Sequence, residues 1–95
     1  MSNCAVYILT NKKHGTIYIG ATRDLARRID QHHLQATDCF TSKYNLRTLV
    51  YYQLCDHFYE ALTREKQLKN WRRQWKINLI EEDNPDWLDL GNQLA

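Results

Sequence analysis

Two short strand-forming runs joined by a polar link set the tightest limit on how this chain folds. Cys4-Ala5-Val6-Tyr7-Ile8-Leu9 and Ile17-Tyr18-Ile19-Gly20 are rich in β-branched and aromatic residues, and Asn11-Lys12-Lys13-His14-Gly15 between them has the composition of a turn. The pattern predicts a β-hairpin with strands over about Ala5 to Thr10 and Thr16 to Ala21. Ten residues separate Tyr7 from Tyr18, so the two rings are expected to face each other across the pair. A lone hairpin buries too little surface to be stable, and the remaining residues must complete its core.

Those residues supply the pieces. Thr22 and Asp24 are plausible N-caps for a helix from about Asp24 to Leu34, with Leu25, Ile29 and Ala36 on its apolar side. Residues 35 to 45 are full of turn formers and read as a loop. Leu49-Val50-Tyr51-Tyr52 is β-prone and bounded, a third strand. Asp56 is placed to cap a helix over about Tyr59 to Asn70, and a further helical stretch over Arg72 to Glu82 is stopped by Pro85. The order β-β-α-β-α-α predicts an α+β fold: a small three-stranded antiparallel sheet flanked by helices. Trp71, Trp75, Leu79 and Ile80 are expected to supply much of the core.

With 95 residues, the expectation is a single domain over 1–95. No apolar run approaches membrane-spanning length, and no basic stretch precedes the first apolar run as in a signal peptide, so a cytoplasmic protein is expected. Three cysteines, an odd number without a Cys-x-x-Cys pair, argue against a disulfide framework or a zinc knuckle. Charge is unevenly placed. Five of the 11 acids fall in residues 81 to 89, so the six other acids and all 13 bases leave residues 1 to 80 at net +7. A basic body with an acidic end suits a polyanionic partner, although a solvated surface would also carry such a pattern.

The chemistry-bearing side chains cluster. On the first helix Arg28 and His32 are four apart and share one side. Two phenols, a guanidinium and an imidazole would then converge at one end of a small domain, which is equipment for cleaving a phosphodiester. In the second half Glu65 falls among Ala61, Leu62 and Leu68 on the core-facing stripe of its helix. A carboxylate in that position needs a cation, either a metal or an arginine such as Arg28 or Arg72.

This ordered set resembles the GIY-YIG nuclease family. Tyr18-Ile19-Gly20 matches the second half of the family's name; in the first half the tyrosine is kept, while Ala5-Val6 stands where the name reads Gly-Ile. The resemblance runs on through Arg28, His32 and Glu65 and so covers most of the chain. It is strongest to the compact, single-domain bacterial members, which have stretches similar to Phe40 to Tyr44 and Asn84 to Trp87.

The resemblance implies a divalent-metal-dependent DNA endonuclease. Glu65 would be the single metal-binding carboxylate, for Mg²⁺ or Mn²⁺, which keep most of their waters beside one or two carboxylates and a substrate phosphate. Tyr7 would be the general base and Tyr18 would orient water or phosphate. His32 is the second proton carrier, either base or relay. Arg28 would clamp the scissile phosphate, and Gly20 would let the DNA backbone approach. Asn84 is a weaker candidate beside the metal. Lys12, Lys13 and Arg23, with Phe40, Thr41, Ser42, Lys43 and Tyr44, are the expected substrate contacts, ranked above the six bases of Arg64 to Lys76. Lacking a recognition helix, such a protein would act on single-stranded or branched DNA. It calls for no obligate protein partner. The alternative is a catalytically inactive nucleic-acid-binding module of the same fold.

Overall fold

The computed structural model describes residues 3–33 and 46–94. Strand β1 (Ala5–Thr10) is buried along its whole length because it is the middle strand of a three-stranded sheet. Strands β2 (Ile17–Thr22) and β3 (Thr48–Leu54) flank it in the order β2-β1-β3, both antiparallel to it. The α+β arrangement expected from the sequence is the one observed. Strand β2 begins and ends one residue later than expected, and β3 extends the expected run in both directions.

Alternate residues of β1 feed two separate cores. Ala5, Tyr7 and Leu9 meet helix α1 (Leu25–His33) through Leu25 and Ile29, joined by Leu46 and Leu49. Val6 and Ile8 meet helices α2 (Phe58–Asn70) and α3 (Arg73–Asp83) through Leu68 and Ile80, joined by Ile19, Val50 and Trp87. Leu9, Leu49 and Leu68 are each 0% exposed, and such burial stabilises by about 1.5–3 kcal/mol per side chain. A register shift between Ile8 and Leu9 sets Ile8 opposite Tyr51 and Leu9 opposite Leu49, so Val50 is an extra residue. This bulge lets Val50 and Tyr51 both pack on the α2–α3 side.

Helix α1 starts as its sequence predicts: Asp24 Oδ1 accepts the Arg27 N–H at 3.3 Å, and Thr22 Oγ1 accepts the Asp24 N–H at 3.1 Å. Helix α2 does not. Its N-cap is His57 with no side-chain hydrogen bond, so Asp56 does not cap it. Between α2 and α3, Trp71 and Arg72 take extended backbone conformations. That break puts Trp71 and Trp75 off any common helix face. Trp71 packs against the second core, but Trp75 is 50% exposed and is not the core residue expected.

The acidic end is folded back rather than left as a tail. Asn84, the C-cap of α3, is buried and donates its amide to Val50 O at 3.1 Å and Leu88 O at 2.9 Å, while its Oδ1 accepts the Leu88 N–H at 3.0 Å. Asp89 Oδ1 accepts the Leu49 N–H at 3.2 Å. A 3₁₀ helix (Leu90–Leu94), not foreseen from the sequence, packs against β3 and α1. Among the described residues no helix is long and apolar enough to cross a membrane.

Candidate active site

The register of β1 against β2 decides where the tyrosines go. Tyr7 pairs with Gly20 and Leu9 pairs with Tyr18. The two phenols are therefore diagonal neighbours on the α1 face, not a directly opposed pair; their ring centroids are 6.3 Å apart and tilted by 47°. Gly20 is needed for a reason internal to the protein. A Cβ built there would lie 2.6 Å from Tyr7 Oη and 2.7 Å from its Cζ. The ring of Tyr7 thus lies across Gly20, with its hydroxyl reaching from the middle strand to β2 while remaining buried. This contact with the phenol is a reason for glycine at position 20 in addition to the expected approach of a substrate backbone.

Arg28 comes down from the first turns of α1 onto this hydroxyl: its Nε donates to Tyr7 Oη at 3.2 Å. Asp24 fixes the start of α1 and so sets the height of Arg28 above the sheet. The hydrogen bond to Tyr7, with a further one to Tyr18, holds the guanidinium more firmly protonated than usual. Tyr7 responds mainly to its burial, which raises its phenol to about 12 against the opposing pull of the Arg28 hydrogen bond; Tyr18 and Glu65 push it further up. At neutral pH the phenol keeps its proton, and extra positive charge nearby is needed to bring it within reach as a base.

Glu65 enters from the opposite layer. It projects from α2 between the buried positions Ala61 and Leu68, and its side chain is 18% exposed. Its cation is neither Arg28 nor Arg72 but Lys69, whose Nζ lies 3.5 Å from Oε2 one turn along α2. Its negative charge nevertheless reaches Tyr7. The phenols and guanidinium thus lie on the α1 face of β2, and the Glu65 carboxylate is carried by the helix packed on β2 from the other face. Among the described residues no group of three or more His, Cys, Asp or Glu converges. Among the described residues the donor set fits a hard cation held by one carboxylate, water and substrate phosphate.

The remaining expected residues are scattered. His32 lies on α1 one turn beyond Arg28, with its side chain outside the described residues. Phe40, Thr41, Ser42, Lys43 and Tyr44 also lie outside the described residues. Arg23 is exposed near Arg28, with its guanidinium 4.3 Å above the Phe58 ring. Lys12 and Lys13 are exposed in the hairpin turn, at the other end of β2 from Arg23, and Lys13 is close enough to Glu81 to help hold that carboxyl below its usual range. They are not beside Tyr7. Asn84 is on the α2–α3 side, where Val50, Leu88 and the Leu88 N–H occupy its amide.

One residue was passed over by sequence reasoning. Arg27 is exposed, and it also lines a pocket of about 210 Å³ with Thr22, Arg23, Asp24 and Arg28. The signal was present as three arginines within six residues, but helical spacing alone put Arg27 off the Arg28 side.

The profile of the GIY-YIG catalytic domain matches residues 3–78. A UPF0213 protein of Staphylococcus saprophyticus is 36% identical over 70 residues, covering 74% of this chain and 85% of its own. A UPF0213 protein of Staphylococcus aureus is 32% identical over 82 residues, covering 86% of this chain and 99% of its own. The solution NMR structure of a UPF0213 protein from Bacillus halodurans superimposes with a TM-score of 0.53 at 29% identity, covering 88% of this chain and 87% of that one.

Proposed function

Because the chain belongs to the GIY-YIG family, we propose that it is a divalent-metal-dependent DNA endonuclease, acting as one catalytic domain on single-stranded or structured DNA. The observation that carries this reading is the gathering of Tyr7, Tyr18 and Arg28 at β2, within reach of the charge of Glu65. Ordinary packing explains a strand tyrosine, and it explains a helix glutamate. It does not explain why Tyr7 is laid across a glycine so that its hydroxyl reaches an arginine.

Each residue then has a task. Arg28 turns from the phenols to the phosphate and neutralises charge that builds on its oxygens. Tyr18 positions phosphate or water. Tyr7 takes a proton from the attacking water; neutralising Glu65 removes one of the influences that keep its phenol high. His32, one helical turn from Arg28, is the alternative proton acceptor. Glu65 would hold Mg²⁺ or Mn²⁺, which supplies Lewis-acid polarisation of the phosphoryl group and stabilises the departing 3′-oxygen. The departure at Ala5-Val6 leaves this chemistry untouched, since both side chains are fully buried strand residues.

The deciding experiment is incubation of the protein with end-labelled single-stranded, duplex and branched oligonucleotides in Mg²⁺ or EDTA. The expected result is metal-dependent cutting, faster on the single-stranded or branched forms than on plain duplex. Tight binding without cutting in Mg²⁺ or Mn²⁺ would make the protein a binding module of the same fold.

A further inference from the structure

The six bases between Arg64 and Lys76 divide sharply once their surroundings are known. Arg64 stacks on Trp71 at 5.1 Å, and Arg72 stacks on Trp75 at 5.5 Å. Arg73 donates to His14 O and Gly15 O, both at 2.7 Å, pinning the hairpin turn. These three arginines are committed within the protein. Lys66 is exposed on α2. Lys69 and Lys76 both line a pocket of about 300 Å³ whose other wall is Ile17, Tyr18 and Ile19 of β2, and Lys69 also pairs with the Glu65 carboxylate at 3.5 Å, a bond that a cation on Glu65 would release. Lys76 Nζ lies 3.5 Å from the Lys69 carbonyl, with no carboxylate partner among the described residues.

The outer side of β2 faces no other strand among the described residues. Three features follow one another along that strand. The lysine pocket lies at Ile17–Tyr18–Ile19. The Tyr7 hydroxyl and Arg28 lie at Gly20. The arginine pocket begins at Thr22, where the carboxylate of Asp24 is partly used by the Arg27 N–H. Strand rise of about 3.4 Å per residue makes the distance from Tyr18 to Thr22 roughly 13 Å. The lysine pocket also offers apolar surface from two isoleucines, on which the flat face of a base can rest.

We propose that one nucleic-acid strand lies along the open edge of β2, its scissile phosphate at Tyr7 and Arg28, with the phosphates on one side seated on Lys69 and Lys76 and those on the other side on Arg23 and Arg27. This deepens the nuclease reading and rests on it. It assigns the track to residues on both sides of the catalytic group, rather than to the lysines of the hairpin turn. It also accounts for a strand edge that no other strand covers among the described residues, guarded by lysine against pairing with another chain.

Two measurements test it. The first is the salt dependence of binding of a fluorescent single-stranded 12-mer, made on the Glu65→Gln protein so that nothing is cut. Lys76→Gln and Arg27→Gln should each lower the slope of log K against log salt by about 0.7, the loss of one single-strand phosphate contact. Lys76→Arg should restore it. The second is cleavage of oligonucleotides carrying one neutral methylphosphonate, walked through the positions flanking the scissile bond. Lys76→Gln should remove sensitivity on one side only, and Arg27→Gln on the other. Unchanged slopes, or both variants losing the same side, would overturn the track. Failure of the wild-type protein to cut any oligonucleotide would instead defeat the nuclease reading, and the binding slopes would still decide the track.

Discussion

At the turn end of the hairpin, Glu81 is boxed in: Trp87 Nε1 donates to its Oε2 at 2.7 Å and His14 Nε2 lies 2.8 Å from the same oxygen. On α2, packed against β2, Glu65 has Lys69 at 3.5 Å. Both are glutamates of helices packed on the same side of the sheet, and their circumstances are opposite. Glu81 is held below its usual range by its fixed Trp87 and His14 partners. The cluster is stiff as well. His14 and Trp87 are the two non-glycine residues with positive φ among those described, and their rings meet edge to face at 5.1 Å. Glu65 is tethered only by a flexible ammonium one turn away, an arrangement worth about 0.3–0.5 kcal/mol on a helix. Exchanging that partner for a stronger cation costs little. Glu81 has one carboxylate oxygen held by two rigid donors and belongs to the scaffold, whereas Glu65 has a single flexible partner.

The sharpest way to break this contrast is to remove each carboxylate in turn. Glu65→Ala should lower cleavage by roughly a thousandfold or more, since metal assistance supplies several kcal/mol to the transition state, while oligonucleotide binding is largely kept. Glu81→Gln should leave cleavage unchanged. Single-turnover rates beside anisotropy titrations separate the two, and near-wild-type cutting by Glu65→Ala would sink the metal assignment.

Tyr7→Phe should cost about a hundredfold or more in rate, the size of a general-base contribution, with little change in affinity because the ring still packs. Should it cut normally while His32→Ala is dead, His32 is the base. Stability carries a second signature. The folded protein holds the Tyr7 proton up to about 12, whereas the unfolded chain releases it near 10. The folded state therefore binds more protons in that window, so the Tyr7 contribution is full below pH 10 and is lost as pH rises toward 12. Relative to Tyr7→Phe, the wild-type protein should lose about 2–3 kcal/mol across it, read by urea titration at each pH.

Asn84→Ala probes the scaffold side. Its amide makes three hydrogen bonds around a buried turn, so the variant should lose roughly 2–4 kcal/mol in urea unfolding. Cleavage per folded molecule should stay near wild type. If stability is kept and the metal requirement rises instead, Asn84 belongs to the site. The smallest effect is expected at Glu81 itself. A carboxyl held low in the folded state stabilises at neutral pH, and that contribution is lost as pH falls through its folded value. Thermal melts at pH 7 and pH 3 should therefore differ less for Glu81→Gln than for the wild-type protein, and equal differences would mean that the turn cluster contributes nothing.

Much of this was legible in the chain. The hairpin showed because strand-forming runs flank a polar turn, α1 because Asp24 is a true cap, and Arg28 and Glu65 because helical spacing sets each against a core stripe. The failures have physical causes. The break between α2 and α3 was foreseen, but which of the two tryptophans beside it reaches the core was not: Trp71 packs on the second core and Trp75 is half exposed. Asp56 has the right chemistry for a cap but not the right position. Glu81 and Asp89 read as a solvated acidic end because their partners, His14 and Leu49, lie 67 and 40 residues away.

By itself, then, the sequence determined which side chains could do chemistry and on which element each rides, because strand and helix periodicities are local and fix direction relative to the chain. Pairing register was beyond it. Only the folded sheet set Tyr7 opposite Gly20 rather than Tyr18 and carried the phenol across to β2. Likewise the sequence shows six bases between Arg64 and Lys76 as equivalents. Tertiary packing committed three arginines to tryptophan faces and backbone carbonyls and left Lys69 and Lys76 in a pocket against Tyr18. Arg73, whose partners His14 and Gly15 lie 59 and 58 residues away, is the charge whose commitment spacing along the chain could not show.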